Sequence, residues 1–118
     1  MRAPCSLAAL ATFSLTACVS MAPMGSGRHL VYRDTNGAPA MQIDYPTDSF
    51  CRHVEAVASG DARCQDRSVE DQLKARATLH YNPPGMTVEA HYADLVRCHV
   101  ANGRMAAGVE LLKPCTAK

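Results

Sequence analysis

The sequence predicts a small α+β domain, built of antiparallel β-hairpins with one short helix and stabilised by disulfides. Three observations support this fold class. Turn signals separate stretches of alternating apolar residues, one stretch has helical spacing, and an even set of cysteines lies in the later part of the chain. Residues 28–118 are assigned to this single domain, a length that suits one hydrophobic core of modest size.

The first predicted hairpin covers residues 28–45 and turns at Asn36-Gly37, a dipeptide that favours two-residue hairpin turns. With these two residues as the turn, Leu30 faces Ile43, and the apolar residues of both strands share one face. Because a slip of one residue would move all of them to the other face, this agreement supports the register.

A short amphipathic helix is predicted from Asp48 to Ala58. Thr47 and its neighbours offer capping side chains, and Ser59-Gly60 offers a stop. The apolar residues between them have helical spacing: Phe50, Cys51, Val54, Val57 and Ala58. Residues 61–72 are polar and are predicted to form a loop, with Ser68-x-x-Asp71 as an alternative start of a helical turn.

The second predicted hairpin covers residues 73–92, with a four-residue turn at Asn82-Pro83-Pro84-Gly85. Leu79 then faces Val88 on an apolar face. The opposite face is polar: Arg76, Thr78, His80, Thr87, Glu89 and His91. This pattern is typical of an antiparallel sheet with one side in water.

Two interpretations remain for residues 95–112, which contain Asn102-Gly103. As a third hairpin, the segment places its apolar residues on one face: Val96, Cys98, Val100, Met105, Ala107, Val109 and Leu111. As a helix, it would run from Asp94 to Ala101 and stop at Gly103. We favour the hairpin because its two strands agree in face.

The amino terminus has the layout of a secretory signal peptide, predicted to cover residues 1–17. Arg2 gives a positive end, and an apolar stretch rich in Ala and Leu follows from Ala3 to Leu15. This stretch is shorter than the about 20 residues that a membrane-spanning helix needs.

The signal segment ends in Leu15-Thr16-Ala17-Cys18, which resembles the lipobox of bacterial lipoproteins. The resemblance implies cleavage between Ala17 and Cys18 and attachment of acyl chains, such as palmitate, through the Cys18 sulfur. Two or three acyl chains would anchor the protein stably, whereas one chain would not. The alternative is plain secretion with cleavage after Ala22, which the following Pro23 disfavours.

Lipidation at Cys18 would make residues 18–27 a flexible tether, because this stretch lacks periodicity and ends in Gly and Ser. The expected location is the cell envelope. Val19 follows the lipidated cysteine where Asp would retain a lipoprotein at the inner membrane, so the outer membrane, facing the periplasm, is favoured.

Four cysteines remain after the signal peptide and the lipidation site: Cys51, Cys64, Cys98 and Cys115. In the oxidising envelope they are expected to form two disulfides, and no Cys-x-x-Cys favours a metal or redox site. Their connectivity stays open. In the third hairpin, Cys115 would lie about 26 Å along the strand from the partner of Cys98. That pairing would therefore require a sharp turn after Leu112.

The functional prediction is a non-catalytic interaction or structural module that contacts another envelope protein. The chain has 12 Lys and Arg against 11 Asp and Glu, and this balance argues against a nucleic-acid partner. No catalytic motif occurs, and no cofactor besides the covalent lipid is expected. The alternative is a metal- or ligand-binding lipoprotein that uses His80, Glu89 and His91 on the polar sheet face.

Overall fold

The computed structural model describes residues 27–118, which form a six-stranded antiparallel sheet and two α-helices. The strands are β1 (His29–Arg33), β2 (Pro39–Asp44), β3 (Asp61–Gln65), β4 (Ala75–Tyr81), β5 (Met86–Tyr92) and β6 (Val109–Ala117). The helices are α1 (Asp48–Val57) and α2 (Leu95–Asn102), and a 3₁₀ turn covers Glu70–Gln72. This is the predicted disulfide-stabilised α+β domain, with one helix more than expected.

The predicted signal peptide, the lipidation site at Cys18 and the tether up to residue 26 lie outside the described residues. Gly27, which the sequence placed in the tether, already belongs to the domain. It is buried with a positive φ of 115°, and a Cβ at this position would collide with the backbone of Gln65. The predicted tether is therefore one residue too long at its carboxyl end.

The order of elements occurs twice along the chain. In the first half, residues 29–65, the hairpin β1–β2 is followed by α1, and β3 returns to pair with β1. In the second half, residues 75–117, the hairpin β4–β5 is followed by α2, and β6 returns to pair with β4. The strand order is β3-β1-β2-β5-β4-β6, so the halves meet where β2 pairs with β5. We call this junction the seam.

Both predicted hairpin registers are confirmed. Leu79 faces Val88 in the second hairpin, and the register continues along the whole of both strands. Leu30 faces Ile43 in the first, but a bulge after Tyr32 shifts the register, and the loop covers residues 34–38. The predicted two-residue turn is wrong. The Asp34 side chain accepts hydrogen bonds from the N–H groups of residues 36 and 38 and so holds a longer loop.

The favoured strand interpretation of residues 95–102 is wrong, because these residues form α2. The Asp94 carboxylate caps the helix by accepting a hydrogen bond from the Arg97 N–H at 2.8 Å. Gly103 follows the last turn and donates to the His99 carbonyl. The alternation of apolar residues favours a strand, but the cap favours the helix.

The predicted loop at 61–72 is wrong in its first part, where β3 forms the sheet edge. Its alternation is short: Ala62 and Cys64 are buried, whereas Asp61 and Arg63 are exposed. Pairing with β1 and the disulfide of Cys64 hold this polar strand in the sheet.

Cys51 pairs with Cys64 and Cys98 pairs with Cys115, with Cα separations of 6.1 and 6.0 Å. Each disulfide joins the helix of one half to the last strand of the same half. The expectation of two disulfides is confirmed. The connectivity, which the sequence left open, joins cysteines that follow one another in the sequence. Cys98 can reach Cys115 because it lies on a helix above the sheet rather than on a strand.

The two faces of the sheet are covered differently. The helices pack on the apolar face, where the larger cluster of buried residues lies. Residues 66–74 pass across the other face, and there Val69 and Leu73 pack against Val31. None of the helices among residues 27–118 has the length and apolarity needed to cross a bilayer.

Candidate functional site

Three ionisable side chains meet on the sheet face that residues 66–74 cover: Asp44, Glu70 and His91. Asp44 ends β2, His91 lies on β5, and Glu70 starts the 3₁₀ turn. Across the seam, Gln42 is the direct neighbour of His91. Asp44 is therefore the diagonal neighbour of His91, and Glu70 approaches from above the sheet. We call these three residues the seam cluster.

His91 is the centre of the seam cluster. Its Nε2 lies 3.3 Å from Asp44 Oδ2 and 3.2 Å from Glu70 Oε1. The side chain of His91 is 4% exposed, that of Asp44 18% and that of Glu70 53%. The imidazole is thus enclosed, and one of its two carboxylate neighbours reaches solvent.

Gln42 connects the seam cluster to the covering segment. It is fully buried, and its Nε2 donates to Asp44 Oδ1 at 2.7 Å and to Ser68 Oγ at 3.0 Å. Its Oε1 accepts a hydrogen bond from the Val69 N–H at 2.7 Å. A buried amide with these partners fixes both Asp44 and residues 68–69 in place.

The hydrogen bonds around Asp44 keep it ionised. His29 Nδ1 lies 2.7 Å from Asp44 Oδ1, beside the Gln42 amide. Burial alone raises the pKa of Asp44, but hydrogen bonds from His91, His29 and Gln42 outweigh it and lower the pKa to about 2. Asp44 therefore carries its charge throughout the physiological pH range.

Lys118 determines which nitrogen of His91 carries the proton. Its Nζ donates to the Glu70 carbonyl at 2.8 Å and lies 3.1 Å from His91 Nδ1. Because an ammonium group has only donors, Nδ1 is the acceptor, and the proton of the neutral imidazole is on Nε2. That single N–H faces both carboxylates of the seam cluster.

The structure does not bring together His80, Glu89 and His91, the set that the sequence suggested for a metal. His80 Nδ1 lies 3.2 Å from Thr87 Oγ1, and Glu89 Oε2 accepts a hydrogen bond from Thr78 Oγ1 at 2.9 Å. Among residues 27–118, the one set of three potential ligands is the seam cluster. It shares His91 with the predicted set and has Asp44 and Glu70 in place of His80 and Glu89. His91 turns to Asp44 because residues 66–74 bury it, whereas the sequence predicted an exposed face.

Glu89 instead borders a depression of about 410 Å³ between β4, β5 and β6. Arg76, Thr78, Lys113 and Thr116 complete its polar lining. Charges of both signs line this surface.

Large apolar side chains are exposed on both halves. Val57 of α1 is 81% exposed, and on α2 Val96 is 70% and Val100 48% exposed. On the edge strand β6, Leu111 is 39% and Leu112 50% exposed. The second half therefore presents apolar side chains from two adjacent elements.

The sequence matches no family model, and neither the curated proteins nor the solved structures give a match. Function is therefore inferred from the residues of this chain.

One signal in the sequence relates two of the three residues of the seam cluster. Tyr45-x-Thr47-x-x-x-Cys51 is followed, 47 residues later (98 − 51), by Tyr92-x-Asp94-x-x-x-Cys98. The same offset relates Asp44 to His91. In a sheet whose halves meet along equivalent strands, equivalent residues near the junction become neighbours, so this repeat places Asp44 beside His91.

Proposed function

We propose that the chain is a lipid-anchored protein of the bacterial envelope, held at the outer membrane and facing the periplasm. Its domain would act by contact with another envelope protein and not by catalysis. The observation that carries the anchoring is the pattern Leu15-Thr16-Ala17-Cys18 at the end of a short apolar segment. Val19 after the cysteine favours the outer membrane.

The two disulfides support an oxidising compartment for the domain. Structural disulfides persist in secreted and envelope proteins and are rare in the cytosol, where thiols are kept reduced. All four cysteines between residues 27 and 118 are paired in this way. Export by the predicted signal peptide is consistent with this pairing.

Action by contact is supported by the apolar side chains that the second half exposes. β3 is short and exposes Asp61 and Arg63, charges that discourage the pairing of another strand. β6 is longer, and between its exposed charges Glu110 and Lys113 it exposes Leu111 and Leu112; α2, which packs against β6, exposes Val96 and Val100. Exposed apolar side chains on adjacent elements are typical of surfaces that contact another protein.

Intact mass spectrometry of the protein extracted from membranes tests the anchoring. The expected mass is that of residues 18–118 with acyl chains on Cys18 and two disulfides. An unmodified chain that starts at residue 23 and is recovered from the soluble fraction would indicate plain secretion.

Photo-crosslinking in living cells tests the contact. A crosslinking amino acid at Leu112 or Val96 is expected to capture one and the same envelope protein. Val57 is the matched control, because it is an exposed apolar residue of the other half. Capture of that protein equally well from position 57 would contradict a contact surface on α2 and β6.

A further inference from the structure

We propose that the seam cluster is a binding site for one divalent metal ion of the zinc class, held by His91 Nε2, Asp44 Oδ2 and Glu70 Oε1. This inference goes beyond the proposed contact function. It rests on the donor set, on the distances between the three atoms and on the balance of charge around a buried imidazole.

The distances between the three atoms are compatible with metal ligation. In a tetrahedral site with bonds of about 2.0–2.1 Å, neighbouring ligand atoms lie about 3.3 Å apart. His91 Nε2 is 3.3 Å from Asp44 Oδ2 and 3.2 Å from Glu70 Oε1. Strong hydrogen bonds to a carboxylate are shorter, about 2.7–2.9 Å. All three ligand atoms lie within 4.8 Å of one another. A small movement of Glu70, on its exposed turn, would therefore bring Glu70 Oε1 to the spacing of a tetrahedral site from Asp44 Oδ2.

The charges also favour a cation at the centre of the cluster. The carboxylates of Asp44 and Glu70 both approach His91 Nε2. Because Lys118 lies against Nδ1, the N–H at Nε2 is the one imidazole donor for both carboxylates. A divalent ion in place of that proton would neutralise both carboxylates and bond to each.

The surroundings orient the ligands as in a built metal site. The Oδ1 atom of Asp44 is held by Gln42 and His29, which leaves Oδ2 for the ion. Hydrogen bonds to the carboxylate oxygen that does not bind the metal orient the ligand and contribute strongly to metal affinity. Glu70 lies at the solvent side, where a water molecule can complete the coordination as fourth ligand.

The ligand chemistry selects the class of ion. One imidazole and two carboxylates suit Zn²⁺ and similar transition ions, whereas Mg²⁺ and Ca²⁺ prefer oxygen ligands alone. The described cysteines cannot contribute thiolates because all four are in disulfides.

Lys118 must release His91 when the ion binds. An ion on Nε2 displaces the proton of that nitrogen, so the neutral imidazole then carries its proton on Nδ1, where Lys118 Nζ now donates. The side chain of Lys118 belongs to an exposed residue and can turn to solvent. Lys118 therefore competes with the metal.

Calorimetric titration with Zn²⁺ at neutral pH tests the site, on the protein extracted from membranes with its two disulfides intact. One ion per chain is expected. His91→Gln and Glu70→Gln should each weaken binding by about tenfold or more. Glu70 is half exposed, so Glu70→Gln removes a ligand without disturbing the core. His80→Gln is the matched control, because His80 lies on the same sheet face and contacts Thr87 instead.

Lys118→Ala gives a result that a general loss of structure cannot imitate. Removal of the competing ammonium should tighten Zn²⁺ binding by about two- to fivefold. Lys74→Ala, which removes a neighbouring positive charge without freeing Nδ1, should change it less. The proposal is overturned if Zn²⁺ binds equally to the wild type and Glu70→Gln, if His80→Gln abolishes binding, or if Lys118→Ala weakens it.

Discussion

The two halves of the sheet have the same order of elements but differ in some of their core side chains. Residues 45–51 and 92–98 each start with a buried tyrosine, continue with a helix cap and reach a disulfide-bonded cysteine. Burial raises the pKa of both tyrosines, that of Tyr92 to about 12. The caps, the turns and the disulfides thus recur in both halves.

The core is where the halves differ. Leu30 and Ile43 occupy the positions of the first half that correspond to Ala77 and Ala90 of the second, and all four are buried in one row across the sheet. The caps, the disulfides and the buried tyrosines thus recur in both halves, whereas this row of core residues does not. The volume of the core is divided unequally between the halves.

The largest expected effect tests this unequal division. Leu30→Ala should lower the free energy of unfolding by about 3 kcal/mol, because it leaves a cavity at a fully buried position. The corresponding Ala77→Leu should lower it by about 1–3 kcal/mol through overpacking. Urea denaturation measures both. A more stable Ala77→Leu variant would indicate that the second half has space for a larger residue, so that packing does not require the unequal division.

Removal of either disulfide should have nearly the same effect. The cysteine pairs are 13 and 17 residues apart, so the closed loops are of similar length. The chain-entropy model gives a loss of about 3 kcal/mol for Cys51→Ala/Cys64→Ala and for Cys98→Ala/Cys115→Ala alike. Thermal and urea unfolding of the two double variants, side by side, provide the comparison. A difference above about 1 kcal/mol would show that one half depends on its disulfide through more than loop closure.

The free energy of unfolding should fall in acid because of Asp44. Its counterpart in the second half, His91, has no carboxylate and makes no such contribution. The folded pKa of Asp44 is about 2, below the usual 3.8, so the folded state prefers the charged form. The resulting stability, about 2 kcal/mol, is present above pH 4 and is lost as the pH falls towards 2. Asp44→Asn should be less stable at pH 7 and should lose this part of the pH dependence. A variant with an unchanged acid profile would exclude Asp44 as its source.

The helix caps should show the smallest effects. Thr47 caps α1 by accepting from the Phe50 N–H at 3.0 Å, and Asp94 caps α2 in the same way. Thr47→Ala and Asp94→Ala should each cost about 1 kcal/mol. Circular dichroism during thermal unfolding measures the loss. Thr47→Ser retains the hydroxyl and serves as the control for the first helix, so an equal loss in Thr47→Ser and Thr47→Ala would contradict a capping role.

Local patterns predicted much of the fold. Alternation of apolar residues predicted the register of both hairpins, in the first up to the bulge after Tyr32, and the capping residues predicted α1. The helix α2 was the less favoured alternative because Val96, Cys98 and Val100 alternate as in a strand, whereas the Asp94 cap favours the helix. β3 was missed because its exposed charges hide a strand that pairing with β1 holds in place.

The seam cluster could not be predicted from any single segment. Asp44 and His91 meet through the pairing of β2 with β5, and Glu70 comes from a polar segment for which a loop was the main prediction and a helical turn the alternative. Such long-range pairing leaves no local pattern. The internal repeat was the available signal for Asp44 and His91, since it relates them by the same 47 residues as Cys51 and Cys98.

The placement of the disulfides has a mechanical consequence. Each covalent loop closes within one half, so no cross-link passes over the seam, where β2 and β5 share four residue pairs. Suppose the chain is held from its amino terminus while a partner pulls on the second half. The load then falls on the seam and on the connection 66–74, while each half resists as a cross-linked unit. The seam is where the molecule would yield first, and a cut in that connection would leave two separately cross-linked pieces.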